Sequence, residues 1–82
     1  MKTIYDLGVW QNSVDSETYA FPIGAKDAWG DVAYPKLRSA EWKFEGILPK
    51  GMDVTDMKPV TGNRVRCKIG GASMNTADWA IQ

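Results

Sequence analysis

The chain has 82 residues, with ten basic and ten acidic side chains, one cysteine and no histidine. A chain this short holds one domain with a thin hydrophobic core, so we expect a single domain over residues 1–82. The lone Cys67 excludes an intramolecular disulfide, the absence of histidine excludes a Cys and His zinc site, and zero net charge removes any overall attraction to nucleic acid.

The N-terminal residues 1–6 contain no apolar run after Lys2, so the sequence predicts no secretory signal. No stretch of the chain approaches the roughly 18 apolar residues of a membrane span. We therefore expect a cytoplasmic protein that has no membrane partner.

Two strands are predicted in the N-terminal third. Residues 4–10 form a weak candidate, and residues 18–24 form a stronger one. The second stretch places apolar side chains on one face at alternate positions: Tyr19, Phe21 and Ile23. Pro22 has no N–H to donate to a sheet, so we expect this strand at an edge.

Residues 26–45 carry two competing periodicities. Strict alternation over residues 40–45 is typical of a half-buried strand. A helix is indicated by apolar residues three and four positions apart, namely Leu37, Ala40, Phe44 and Leu48. We favour a helix over residues 28–42, interrupted near Pro35.

Two further strands are predicted in the C-terminal half. The first covers residues 52–60 and is ended by Pro59, and the second covers residues 64–69. A tight-turn signal at residues 61–63 separates them. The second strand has an apolar face with Val65, Cys67 and Ile69 and a basic face with Arg64, Arg66 and Lys68. Residues 72–82 form a tail that either docks on the domain or stays loose.

Together these elements predict an α+β fold, in which a small antiparallel sheet of three to four strands packs against one helix. The strand interpretation of residues 40–45 leaves an all-β small barrel as the alternative.

Groups that activate bonds are scarce in this chain. Without histidine, a serine, threonine or cysteine nucleophile lacks its usual base, and Asp53 and Asp56 are expected on opposite faces of a strand. The glycine spacing matches neither phosphate-binding loop pattern. We therefore expect no enzymatic activity, no cofactor and no metal, and a protein that acts by binding a partner.

The basic face of residues 64–69 is the strongest local charge feature. It suits an acidic patch of a protein or a nucleic-acid backbone, and a solvated strand face is the plain alternative. Cys67 alternates with core residues, so we expect a buried thiol.

Three blocks of sequence resemble, in order, the small early protein with which short-tailed lytic coliphages inhibit host RNA polymerase. They lie within a span of about half of the chain: residues 21–25, residues 40–42 with Phe44, and residues 49–60. The resemblance implies a helix on a three-stranded antiparallel sheet that binds the jaw of the polymerase and blocks promoter opening. In that family two arginines carry much of the contact. Here Lys58 stands at the second position and Asp56 at the first, a charge reversal that disfavours the family's interface.

We therefore expect a non-enzymatic inhibitor of a host bacterial protein complex, with RNA polymerase as the first target. The expected partner-binding residues are Lys58, Arg64, Arg66, Lys68 and Asp56. An inhibitor of a bacterial anti-phage defence complex would carry the same features.

A further alternative follows from a second resemblance. The order of Tyr34, Pro35, an alternating stretch and a glycine-centred hairpin is similar to that in the small single-stranded-DNA-binding β-barrel proteins of filamentous phages. The oligomeric state is not predicted.

Overall fold

The computed structural model describes residues 1–23, 27–28, 32–33 and 40–82. In these ranges the chain forms eight β-strands and one short 3-10 helix, Asp78–Ala80. The strands are β1 (Leu7–Asn12), β2 (Thr18–Pro22), β3 (Asp27–Ala28), β4 (Val32–Ala33), β5 (Trp42–Leu48), β6 (Val54–Thr61), β7 (Arg64–Ile69) and β8 (Ala72–Ala77).

Six strands form one sheet in the order β5-β1-β2-β8-β7-β6, and β3 pairs with β4 in a separate antiparallel ladder. Every neighbouring pair in the large sheet is antiparallel except β2 with β8, which is parallel. The sheet therefore consists of two antiparallel three-stranded units, and β5 and β6 are its edges.

Strand β7 shows how the sequence pattern specifies local structure. Its apolar residues Val65, Cys67 and Ile69 are buried, as the alternation predicts. The two-residue turn before it uses Gly62 at φ 55°, a conformation that glycine adopts without steric cost. The predicted strand and turn are both confirmed.

The C-terminal tail is docked rather than loose. Residues 72–77 form β8, and the N–H of Gln82 donates to the carbonyl of Lys2 at 2.9 Å. The N-terminal segment thus contacts the C-terminal residues, and it also contacts the start of β6, where the N–H of Val54 donates to the carbonyl of Met1 at 2.7 Å. Both ends of the described chain are thereby tied to the sheet.

The main cluster of buried apolar residues lies on one face of the sheet and is largely aliphatic. It contains Leu7, Val9, Ala20, Val54, Val65, Cys67, Ile69, Met74, Ala80 and Ile81. The Cα radius of gyration is 11.5 Å, and a compact chain of this length is expected to have about 12 Å. None of the helical residues in the described ranges forms a helix long and apolar enough to span a membrane.

The predicted α+β fold with a packed helix is wrong, because the elements of the described residues are eight strands and one three-residue 3-10 helix. Within the expected helix over residues 28–42, residues 32–33 form β4 and Trp42 begins β5. Residues 29–31 and 34–39, including Pro35, lie outside the described residues. The alternation of residues 40–45 prevails over the helical spacing, since Trp42 and Phe44 pack against aromatic rings of β1 and β2. The structure agrees with the all-β alternative at the level of fold class.

Two predictions about proline are also wrong. Strand β2 lies inside the sheet, where Pro22 is tolerated because it is the last residue of the strand. Pro59 does not end β6, which continues to Thr61. A proline inside β6 is acceptable because β6 is an edge strand.

Gly8 provides a test of packing on the face opposite the core. A Cβ atom at Gly8 would overlap with ring atoms of Trp10, which lies two residues along the same strand. We expect Gly8→Ala to lower the free energy of unfolding by about 1–3 kcal/mol, because the buried indole must shift. Val14→Ala, at a side chain that is 78% exposed, should change it by less than about 0.5 kcal/mol. Urea denaturation followed by tryptophan fluorescence measures both, and equal stabilities would contradict the packing.

Candidate functional site

One row of residues crosses all six strands in direct register. Cross-strand partners connect Lys58 to Arg66, Arg66 to Asn75, Asn75 to Tyr19, Tyr19 to Trp10 and Trp10 to Phe44. Residues directly opposite each other project from the same face of a sheet. This face, opposite the aliphatic core, therefore carries cations at the β6 end and aromatic rings at the β5 end. We call these six residues the cross-sheet row.

The aromatic half of this face is a cluster of rings from three strands: Trp10, Tyr19, Phe21, Trp42 and Phe44. Ring centroids lie 5.1 Å apart for Tyr19 and Trp42 and 5.3 Å apart for Trp10 and Phe44, in edge-to-face geometry. Such pairs stabilise a fold beyond the area that they bury. Trp10 is only 5% exposed and Phe44 is 52% exposed, so the accessible part of the cluster lies at the β5 edge.

The basic half opens into a groove of about 520 Å³ between β6, β7 and β8. Its lining consists of Asp56, Met57, Lys58, Arg66, Cys67, Lys68 and Ser73. Four of the five predicted binding residues thus meet in one place, which we call the basic groove. Arg64 lies on the same strand but outside the lining.

A β-bulge explains how Asp56 reaches the basic groove. Thr55 pairs with Lys68 and Lys58 pairs with Arg66, so β6 has one more residue than β7 between these pairs. Asp56 has φ 55°, in the left-handed region, where aspartate is more common than most residues other than glycine. Its carboxylate lies 3.4 Å from the Lys68 ammonium. Asp53 instead pairs with Lys2 at 2.9 Å, so the two carboxylates contact different cations.

A second carboxylate neutralises Arg66. Glu17, which directly precedes β2, forms an ion pair with the Arg66 guanidinium. Three cations line the groove: Lys58, Arg66 and Lys68. Among the described residues, Arg66 and Lys68 each have a carboxylate partner and Lys58 has none. The groove therefore keeps one unbalanced positive charge, and Lys58 carries it.

Two neighbours of the basic residues were not indicated by sequence patterns. Glu17 lies in the polar turn before β2, 49 residues from Arg66 along the chain. Ser73 lies in the segment expected to be a tail. Ser73 lies opposite Lys68 because β7 and β8 form a hairpin, and Glu17 reaches Arg66 through the long-range pairing of β2 with β8, which local patterns do not predict.

The Cys67 thiol in the groove lining is unsuited to nucleophilic chemistry. Burial raises its pKa, and the nearby Arg66 charge only partly opposes this effect. The thiolate is the reactive form, so a raised pKa makes the thiol less reactive. Among the described residues no group of three or more His, Cys, Asp or Glu side chains is placed to hold a metal ion. What the groove offers chemically is cationic and hydroxyl donors for an anionic group.

Comparison with known proteins finds no matching family model, no matching curated protein and no matching solved structure.

Tyr19, at the centre of the cross-sheet row, has an unusual titration. Burial raises its pKa to about 12, and the hydrogen bond that its hydroxyl donates to the Asp15 carboxylate adds to the effect. The same hydrogen bond lowers the pKa of Asp15. Because the folded pKa of Tyr19 exceeds the ordinary tyrosine value near 10, its contribution to stability is present below about pH 10 and is lost toward pH 12.

Spectrophotometric titration of tyrosinate absorbance tests this assignment. We expect a phenol that ionises near pH 12 in the folded protein and that is missing in Tyr19→Phe. Asp15→Asn should lower the pKa of Tyr19 only partly, since burial remains. An ordinary pKa for every tyrosine in the folded protein would contradict both the burial of Tyr19 and its hydrogen bond to Asp15.

Proposed function

We propose that this protein is a non-enzymatic binding module, cytoplasmic in a bacterial host, which inhibits a host protein complex by holding an acidic segment of that complex in the basic groove. The observation that supports this proposal is the convergence of Lys58, Arg66 and Lys68 on one groove beside Asp56. Arginine and lysine at a concave surface bind carboxylates, and arginine does so through two parallel hydrogen bonds.

The charge arrangement favours a protein over a densely charged polyanion. Glu17 and Asp56 lie against two of the three cations, and these carboxylates would repel closely spaced phosphates. A protein partner that carries both acidic and basic groups can replace each ion pair of the groove. Its acidic groups bind the cations, and its basic groups bind the carboxylates of Glu17 and Asp56. Such complementary patterns discriminate between partners more than they raise affinity.

RNA polymerase is the first target that we propose. The most specific of the three sequence blocks, residues 49–60, supplies Asp56 and Lys58 to the basic groove. The helix that this resemblance implies is not part of the described fold, so the choice of polymerase depends on the block alone. A bacterial anti-phage defence complex is the other host target to which the same groove is suited.

A charge reversal at Lys58 tests the basic groove without breaking either of its ion pairs. We expect Lys58→Glu to weaken binding to the captured partner about tenfold, which corresponds to about 1.4 kcal/mol. Lys50→Glu makes the same charge change just before β6 and outside the groove lining, and it should bind like the unaltered protein. Capture from bacterial lysate with mass spectrometry identifies the partner, and titration calorimetry measures affinity. Equal affinities of the two variants would remove the groove from the interface.

Single-stranded nucleic acid is a second candidate, favoured by the cross-sheet row, which joins cations to aromatic rings on one face. Proteins of this kind stack bases on aromatic side chains and bind the backbone with cations. The centre of the row is buried, since Trp10 is 5% and Asn75 is 8% exposed, so bases would reach only the rings near β5.

An oligonucleotide titration decides this second candidate. If the protein binds nucleic acid, fluorescence anisotropy with a labelled single strand should show affinity that falls steeply with salt, and Arg64→Glu with Arg66→Glu should abolish it. Absence of binding at low salt would eliminate nucleic acid as the partner.

A further inference from the structure

The two edges of the six-stranded sheet are built differently. β6 has two register irregularities, a proline at position 59 and a left-handed residue at position 56. Bulges, proline and lysine on an edge strand are the features that prevent pairing with another chain. β5 spans seven residues, contains no proline and shows one register shift against β1. Among the described strands none pairs with the outer side of β5.

Strand β5 also exposes large apolar side chains. Phe44 is 52% and Ile47 is 62% exposed. Phe44 pairs with Trp10 and Ile47 pairs with Gly8, so both project from the face of the sheet that carries the aromatic cluster. Two exposed apolar side chains on one side of an edge strand are suited to burial against another chain.

Charged residues flank Phe44 on the opposite face of β5. Lys43 pairs with Gln11, and Glu45 lines an apolar groove of about 440 Å³ together with Val9 and Leu48. Lys43 and Glu45 thus lie on the core side, one residue before and one residue after Phe44. A strand with this sequence is complementary to an antiparallel copy of itself.

We propose that β5 pairs with β5 of a second copy of this chain, antiparallel and two-fold symmetric about Phe44. In this register Phe44 faces Phe44 of the second copy, and Lys43 faces Glu45 twice, once on each side of the axis. A register centred on Lys43 would oppose two lysines, and one centred on Glu45 would oppose two glutamates. Like charges directly opposite each other destabilise a strand pair, so the charges select the register centred on Phe44.

The resulting interface is short. The register shift leaves Glu45 without a partner on β1, and the new ladder spans residues 42–46 of each copy. An interface of this size forms a dimer that depends on protein concentration. Because β5 and β6 are opposite edges of the sheet, the dimer leaves both basic grooves open, and its formation does not depend on the proposed function.

A charge exchange tests the register directly. For the unaltered protein, sedimentation velocity at concentrations that span about a hundredfold range should show an equilibrium between monomer and dimer. Lys43→Glu and Glu45→Lys each place like charges opposite each other and should each weaken the dimer by about tenfold or more. The double variant restores opposite charges and should return affinity to within about threefold of the original.

Cross-linking provides a second measurement that does not depend on the charged residues. Phe44→Cys places two thiols opposite each other at the axis, so mild oxidation should give a disulfide-linked dimer. Ile47→Cys, which is off the axis, is the matched control, and the buried Cys67 should not compete. A monomer at every concentration, a double variant as weak as the single variants, or equal cross-linking at positions 44 and 47 would each overturn the proposal. Circular dichroism of every variant confirms that the sheet is retained.

Discussion

The whole sheet depends on a short parallel ladder between β2 and β8. Only two residue pairs join them, Tyr19 with Asn75 and Ala20 with Thr76, yet they connect the two antiparallel units. Side chains reinforce this junction: the Asn75 amide donates to the carbonyl of Thr18 at 3.2 Å, and Glu17 binds Arg66. Ala20 and Thr76 are fully buried there. The junction also aligns the cross-sheet row, so it sets the positions of both the aromatic cluster and the basic groove.

Local sequence patterns predicted the β6–β7 hairpin well. The alternation of residues 64–69 and the turn at Gly62 depend only on neighbouring residues, and the structure confirms both. The helix over residues 28–42 was predicted wrongly because Phe44 satisfies a three-and-four spacing and an alternating one at the same time. The contacts of Trp42 and Phe44 with rings on other strands decide between the two, and those contacts cannot be inferred from periodicity.

The candidate site was predictable in composition but not in geometry. The basic residues of β7 were identified from alternation, and Lys58 and Asp56 from the sequence resemblance. What brings Asp56 to Lys68 is a bulge in β6, which arises from the pairing of two strands and leaves no distinct mark in the sequence. Glu17 reaches Arg66 only because β2 lies next to β8. Local sequence patterns therefore did not predict the features that depend on strand register.

The parallel junction also affects how the chain folds during synthesis. Thr18 and Asn75 are 57 residues apart, so β1 and β2 leave the ribosome long before the strand that completes their sheet. Closing so large a loop costs entropy before any contact compensates for it. During that interval the apolar side of the first hairpin lacks the strands β7 and β8 that later complete the core, and transiently exposed apolar surface of this kind promotes aggregation.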